Sequence, residues 1–175
     1  VRQPTLTIRD ATEADLRGIL VIFNDVVAKT TAIYDQHPST LEERSAWFAS
    51  RSSHGFPVLV AALDGEVIGF ASYGDWRARW GYRYTVEHSV HVHASHRGRG
   101  VGRALVEALI PRARAAGAHV MIAGIDAENL GSIRFHRALG FEPAGHYREV
   151  AHKFGRWLDL VSMQLFLDAC GSSRP

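Results

Sequence analysis

Cysteine is almost missing from this chain: Cys170 stands alone among 175 residues, so no internal disulfide can form, as expected for a reducing compartment. Long apolar runs are missing too. No stretch approaches the roughly 18 residues that cross a bilayer, and no basic-then-apolar leader opens the chain, so a soluble, cytoplasmic protein without a membrane partner is expected. An excess of charge is the third absence. Twenty Lys and Arg against 18 Asp and Glu are scattered from Arg2 to Arg174 without a basic run, which argues against nucleic acid as a partner. Repeats, low-complexity tracts and linkers are absent as well. With 46% hydrophobic residues the length suits one domain, read as residues 1–170, followed by a polar tail at 171–175 that frays.

Missing motifs exclude whole chemistries. No Gly-x-Ser-x-Gly elbow supports a serine hydrolase. His88, His91, His93 and His96 have no Cys, Asp or Glu cluster nearby to complete a metal site, so no metal is expected. Glycines at 98, 100 and 102 fit neither the triphosphate loop, which needs a following Lys-Ser or Lys-Thr, nor the spacing of the dinucleotide fingerprint.

What is present is a strand, a glycine turn and a helix. Tyr84 to His93 alternates Val86, His88, Val90 and Val92 on one face with Glu87, Ser89 and His91 on the other, and Arg97-Gly98-Arg99-Gly100-Val101-Gly102 leads into a helix from Val101. Such a turn offers unpaired N–H groups and a positive helix end to a pyrophosphate. Asp64-Gly65 between apolar runs predicts a hairpin, and Thr12 with Asp15 and Thr40 with Glu43 predict two capped helices, the second burying Trp47 and Phe48 in the core. The order βααβββαβαββ implies an α/β (α+β) fold: a mixed, mainly antiparallel sheet of about seven strands flanked by about four helices.

Arg97-x-x-Gly100-x-Gly102 resembles the coenzyme A pyrophosphate loop of the GNAT superfamily of N-acetyltransferases. Asn129-x-x-Ser132-x-x-Phe135-His136-x-x-x-Gly140-Phe141 resembles a second motif of the same superfamily, with histidine where tyrosine is commoner. Thr85 to Val92, Lys153 to Asp159, Trp76 to Arg79 and Thr30 to Ala32 are similar to the group that acetylates phosphinothricin and methionine sulfoximine or sulfone. The resemblance covers nearly the whole chain. It implies a GNAT fold, acetyl-CoA as co-substrate, a small amine or amino acid as acceptor, direct transfer in a ternary complex and a homodimer. His91 replaces a tyrosine common in relatives, so any role of that tyrosine does not carry over.

The resemblance also distributes roles. Glu87 is expected to take the proton of the acceptor amine, because an aliphatic ammonium is only of order 0.1% free base at neutral pH. His136 is expected to protonate the departing thiolate as an imidazolium or to hydrogen-bond the sulfur. Val90, His91 and Val92 are expected to pair with the pantetheine arm like an added strand, with Arg97, Gly98, Arg99, Gly100, Val101, Gly102 and Arg103 around the pyrophosphate. Asn129 and Ser132 are expected at the coenzyme, although Asn129 is placed equally well to cap a helix. The acceptor is expected to meet Tyr34, Arg77, Ala78, Arg79, Tyr82, His88 and Ser89, with Arg77 or Arg79 on its carboxylate. A peptide N-terminus, a polyamine or a non-catalytic coenzyme sensor are the alternatives on the same fold.

Overall fold

Turn chemistry sets most of the element boundaries. The computed structural model describes residues 5–167, so Cys170 and the tail expected at 171–175 lie outside the described residues. The strands are β1 (Leu6–Asp10), β2 (Val58–Leu63), β3 (Glu66–Asp75), β4 (Thr85–Val92), β5 (Val120–Asp126), β6 (Glu142–Lys153) and β7 (Arg156–Phe166). The helices are α1 (Leu16–Lys29), α2 (Leu41–Ser53), α3 (Val101–Ala115) and α4 (Leu130–Ala138). Asp64 and Gly65 both hold positive φ, 50° and 94°, the left-handed pair that a two-residue hairpin between β2 and β3 requires.

Both capping pairs form, with one difference. Thr40 Oγ1 accepts from the Glu43 N–H at 3.2 Å while Glu43 Oε2 accepts from the Thr40 N–H at 2.8 Å, opening α2. The Thr12–Asp15 box instead opens a single 3-10 turn, Glu13–Asp15, that feeds α1. Arg9 grips the Asp15 carboxylate with two N–H groups at 2.7 and 2.8 Å and holds its pKa down at about 2.

The sheet order is β1-β2-β3-β4-β5-β7-β6, and β4–β5 is its parallel pair. Alternation sorts side chains to two cores. Val58, Val60 and Phe70 pack under α1, whereas Leu59, Ala71, Val86, Met121 and Met163 pack under α3 with Leu105 and Leu109. Trp47 and Phe48 meet expectation in part: both pack against the α1 core, but they stay half-buried and α2 buries none of its residues fully.

One irregularity positions everything that follows. β4 and β5 pair only at Thr85↔Val120, Val86↔Met121 and Glu87↔Ile122, after which β5 stays with β7 and β4 stays with β3. From His88 to Val92 the β5-facing edge of β4 therefore has no strand partner, and the sheet opens into a cleft.

Candidate active site

Two cavities meet in that cleft. One, of about 570 Å³, is lined by Val90 and Val92 of β4, the turn residues Arg97, Gly98 and Gly100, the first residues of α3 and the start of α4. Gly98 and Gly100 sit at φ +73° and +82°, and a Cβ at either would meet nothing within 4 Å. The glycines serve backbone conformation there, and the first N–H groups of α3 lack acceptors within the helix. Arg97 is spent on structure, donating from Nε to the Val92 carbonyl at 3.0 Å. Arg103 lines the cavity and pairs with Glu107, while Arg99 is exposed outside the lining. A 3-10 turn, Ala94–His96, separates β4 from the glycines, a step the sequence reading omitted.

A strand edge without a strand partner, a glycine turn and a helix N-terminus together fit a long ligand carrying amide groups at one end and phosphates at the other.

The second cavity, of about 370 Å³, shares Val90 and Ser132 with the first. Glu87, Ser89 and His91 enter it from β4, Gly124 and Asp126 from β5, Ile33 and Phe23 from the α1 side, and Arg44, Trp47 and Arg51 from α2. Glu87 lies across from Gly124, whose absent side chain makes room: a Cβ there would come within 3.0 Å of Glu87 Oε1. Desolvation by these walls raises the Glu87 carboxyl above the usual range. Burial likewise depresses both guanidiniums, and neither forms an ion pair among the described residues. Arg51 donates to the Tyr73 carbonyl at 3.0 Å, and Arg44 stacks over Phe23 at 4.0 Å.

His136 sits in surroundings that disfavour the charge expected from sequence. It is 4% exposed, its Nδ1 lies 2.8 Å from the Ser132 carbonyl, and its Nε2 lies 3.2 Å from Nε2 of His88, which is equally buried. Burial lowers its pKa and outweighs the opposing pull of the Ser132 carbonyl, so an imidazolium is not the resting form. His91 is depressed to about 4, chiefly by burial with Arg97 and Arg44 adding repulsion, and is neutral too.

The remaining expectations divide. Asn129 caps α4, its Oδ1 accepting from the Ser132 N–H at 3.0 Å, and it also lines the second cavity. Arg77, Ala78, Arg79 and Tyr82 lie outside both cavity linings. The Arg77 guanidinium stacks on Trp76 at 4.5 Å, and Trp76 packs edge-on against Tyr82. Their loop follows directly on Asp75, a lining residue, so it forms the lip. Tyr34 is also outside the linings: its hydroxyl donates to the Asp159 carbonyl at 3.2 Å. Arg44, Arg51, Trp47 and Asp126 were missed. Nothing local marks them, since their neighbours in the cavity come from elements distant in sequence.

A model of the Acetyltransferase (GNAT) family matches residues 20–141. Among curated relatives, the L-methionine sulfoximine/L-methionine sulfone acetyltransferase of Pseudomonas aeruginosa is 55% identical over 168 residues, 95% of this chain and 98% of that one. A putative acetyltransferase from Salmonella typhimurium, solved with its cofactor acetyl-CoA, superposes with a TM-score of 0.91 at 48% identity, covering 95% of this chain and 96% of that one. A phosphinothricin acetyltransferase from Sinorhizobium meliloti in complex with acetyl-CoA gives 0.92 at 39% identity, covering 98% and 93%.

Proposed function

The chain belongs to the GNAT family of acetyltransferases, and from that premise we propose that it moves the acetyl group of acetyl-CoA onto the α-amine of a small amino-acid-like acceptor. The observation that carries this reading is the polarity of the second cavity. Carboxylates of Glu87 and Asp126, guanidiniums of Arg44 and Arg51, and the apolar faces of Phe23, Trp47 and Phe70 converge on a space fit for a zwitterion with a short side chain. A long polyamine would meet two half-buried guanidiniums there. The names of the relatives point to methionine sulfone, methionine sulfoximine or phosphinothricin as the acceptor.

Each residue then has defined work. The open edge of β4 from Val90 to Val92 binds the pantetheine arm, and the turn with the α3 N-terminus binds the pyrophosphate. Glu87, its affinity for protons raised by the cavity, receives one proton from the acceptor ammonium. Arg44 and Arg51 meet the acceptor's acidic group, while Arg77 and Arg79 stand at the lip outside the lining.

The sheet ends in β6, a twelve-residue edge strand, and Val150, Phe154 and Trp157 around the β6–β7 turn are 53%, 56% and 62% exposed. We assign this apolar patch to a homodimer in a cytoplasmic enzyme, to be checked by sedimentation velocity. Among the described residues no helix is long and apolar enough to cross a membrane.

The decisive experiment follows thiol release from acetyl-CoA with methionine sulfone, methionine sulfoximine, phosphinothricin and the common amino acids. Turnover of at least one is expected. Silence toward all of them, with acetyl-CoA still bound, would remove the amino-acid reading.

A further inference from the structure

Arg51 owes its place in the acceptor cavity to a residue with no side chain. Gly74 of β3 is paired directly with Glu87 of β4, and side chains of directly paired residues share a face of the sheet. Whatever fills the space above Gly74 therefore stands one strand away from Glu87. Arg51 fills it: a Cβ at Gly74 would overlap Nη1 of the guanidinium and lie 2.7 Å from Cζ and 3.2 Å from Nη2. Gly74 is not among the glycines with positive φ and it sits in regular strand pairing, so its backbone suits an L side chain. What excludes one is the guanidinium.

The other contacts of Arg51 hold the group in place and leave most of its donors unused. Nη1 donates to the Tyr73 carbonyl at 3.0 Å, one of the five N–H groups a guanidinium carries. Cζ lies 5.9 Å from the centre of the Trp47 ring, one helical turn earlier on α2, and 5.7 Å from that of Phe56. Trp47, Arg51 and Asp75 line the acceptor cavity and also a smaller one, of about 300 Å³, that Ser50, His54 and Phe56 complete. The guanidinium thus stands at the partition between the two spaces.

Resting on the acetyl-transfer reading, we propose that Gly74 is a positioning residue of the acceptor site: its missing side chain lets Arg51 stand beside Glu87, where the guanidinium meets the acceptor's acid group while the amine faces the base. A methyl group at position 74 turns the guanidinium out into the neighbouring cavity, which has room for it. The strand keeps its pairing and the acceptor loses an anchor. The donor cavity, which neither Gly74 nor Arg51 lines, is untouched.

The test compares Gly74→Ala, Arg51→Gln and the double variant in urea denaturation and in steady-state kinetics, using the best acceptor among methionine sulfone, methionine sulfoximine, phosphinothricin and the common amino acids. Gly74→Ala is expected to fold with a urea midpoint close to that of wild type, to raise the acceptor KM about 10- to 30-fold and to hold the KM for acetyl-CoA within about twofold. Because it acts through Arg51, it should add no more than about twofold to the acceptor KM of Arg51→Gln, whereas a methyl group that merely narrowed the cavity would multiply that KM in full. An acceptor KM within about twofold of wild type in Gly74→Ala, full multiplication in the double variant, or a Gly74→Ala chain that does not fold each overturns the proposal and leaves the functional reading standing. Silence of the wild-type enzyme toward every acceptor overturns both.

Discussion

The two cavities that meet at Val90 and Ser132 are built on opposite plans. The donor cavity draws mostly on one near-contiguous, glycine-rich stretch, Val90 to Arg103, with the start of α4 closing it. The acceptor cavity is side chain, drawn from α1, α2, β3, β4, β5 and α4. A backbone cradle recognises what every coenzyme A ester shares, and it tolerates changes of side chain. A side-chain cavity recognises what differs between amines, and a few substitutions redirect it.

Breaking this contrast at Glu87 has the largest expected effect. Glu87→Gln keeps the shape opposite Gly124 and removes the base, so kcat should fall about 10²- to 10³-fold while the affinity for acetyl-CoA stays within about twofold. Because desolvation raises the carboxyl, the acid limb of kcat in wild type should lie above the ordinary glutamate value of ~4.3, and the variant should lack that limb. A wild-type profile with no such limb would exclude Glu87 as the base.

Next comes Lys153, far from the chemistry in sequence and 1% exposed. Its ammonium donates to the carbonyls of Val27, Thr30 and Ile33 at 2.7, 2.8 and 2.6 Å, tying the C-terminus of α1 to the segment that carries Ala32 and Ile33 into the acceptor cavity. Lys153→Met orphans three carbonyls and should cost about 3 kcal/mol in urea denaturation. In the folded fraction the acceptor KM should rise while that for acetyl-CoA holds, which marks Lys153 as a support of one cavity and not the other.

The arginines sharpen the comparison further. Arg51→Gln or Arg44→Gln should raise the acceptor KM about 30-fold, the loss of a charge-assisted contact, and Arg77→Gln at the lip should do less. A larger effect at Arg77 would show that loop 76–84 closes over the acceptor and supplies the principal contact.

Legibility followed the same division. The donor side was readable because its parts are consecutive: a strand of fixed parity, glycines where φ is positive, a helix start and the Asn129–Phe141 motif. Fold order and the Asp64-Gly65 hairpin were readable for the same reason. Arg44 and Arg51 were not, because on α2 they look like solvated helix charges and only the tertiary packing of α2 against α1 and toward β3 turns them inward. Trp47 misled in the opposite sense: a large aromatic on a helix reads as core, yet it lines a cavity. The charge of His136 depended on burial beside His88, 48 residues away, which no local pattern encodes.

The glycines of the donor turn allow the finest test, since Gly100 and Gly102 are present for different reasons. Gly100 lies at φ +82°, where an L side chain is strained by about 1–2 kcal/mol, but a Cβ there would touch nothing. Gly102 lies within α3, and its Cβ would sit 3.6 Å from Val92 Cγ2 and 3.7 Å from the Phe135 ring, an ordinary contact on the cavity wall. Gly100→Ala should therefore lower Tm and weaken acetyl-CoA about tenfold by distorting the cradle. Gly102→Ala should leave Tm equal or higher, as alanine favours a helix, and weaken acetyl-CoA about threefold by narrowing the groove. Calorimetry of both variants separates strain from occlusion. Equal losses of Tm would mean that backbone conformation governs both positions, and the donor cavity would then owe nothing to the space that a missing side chain leaves.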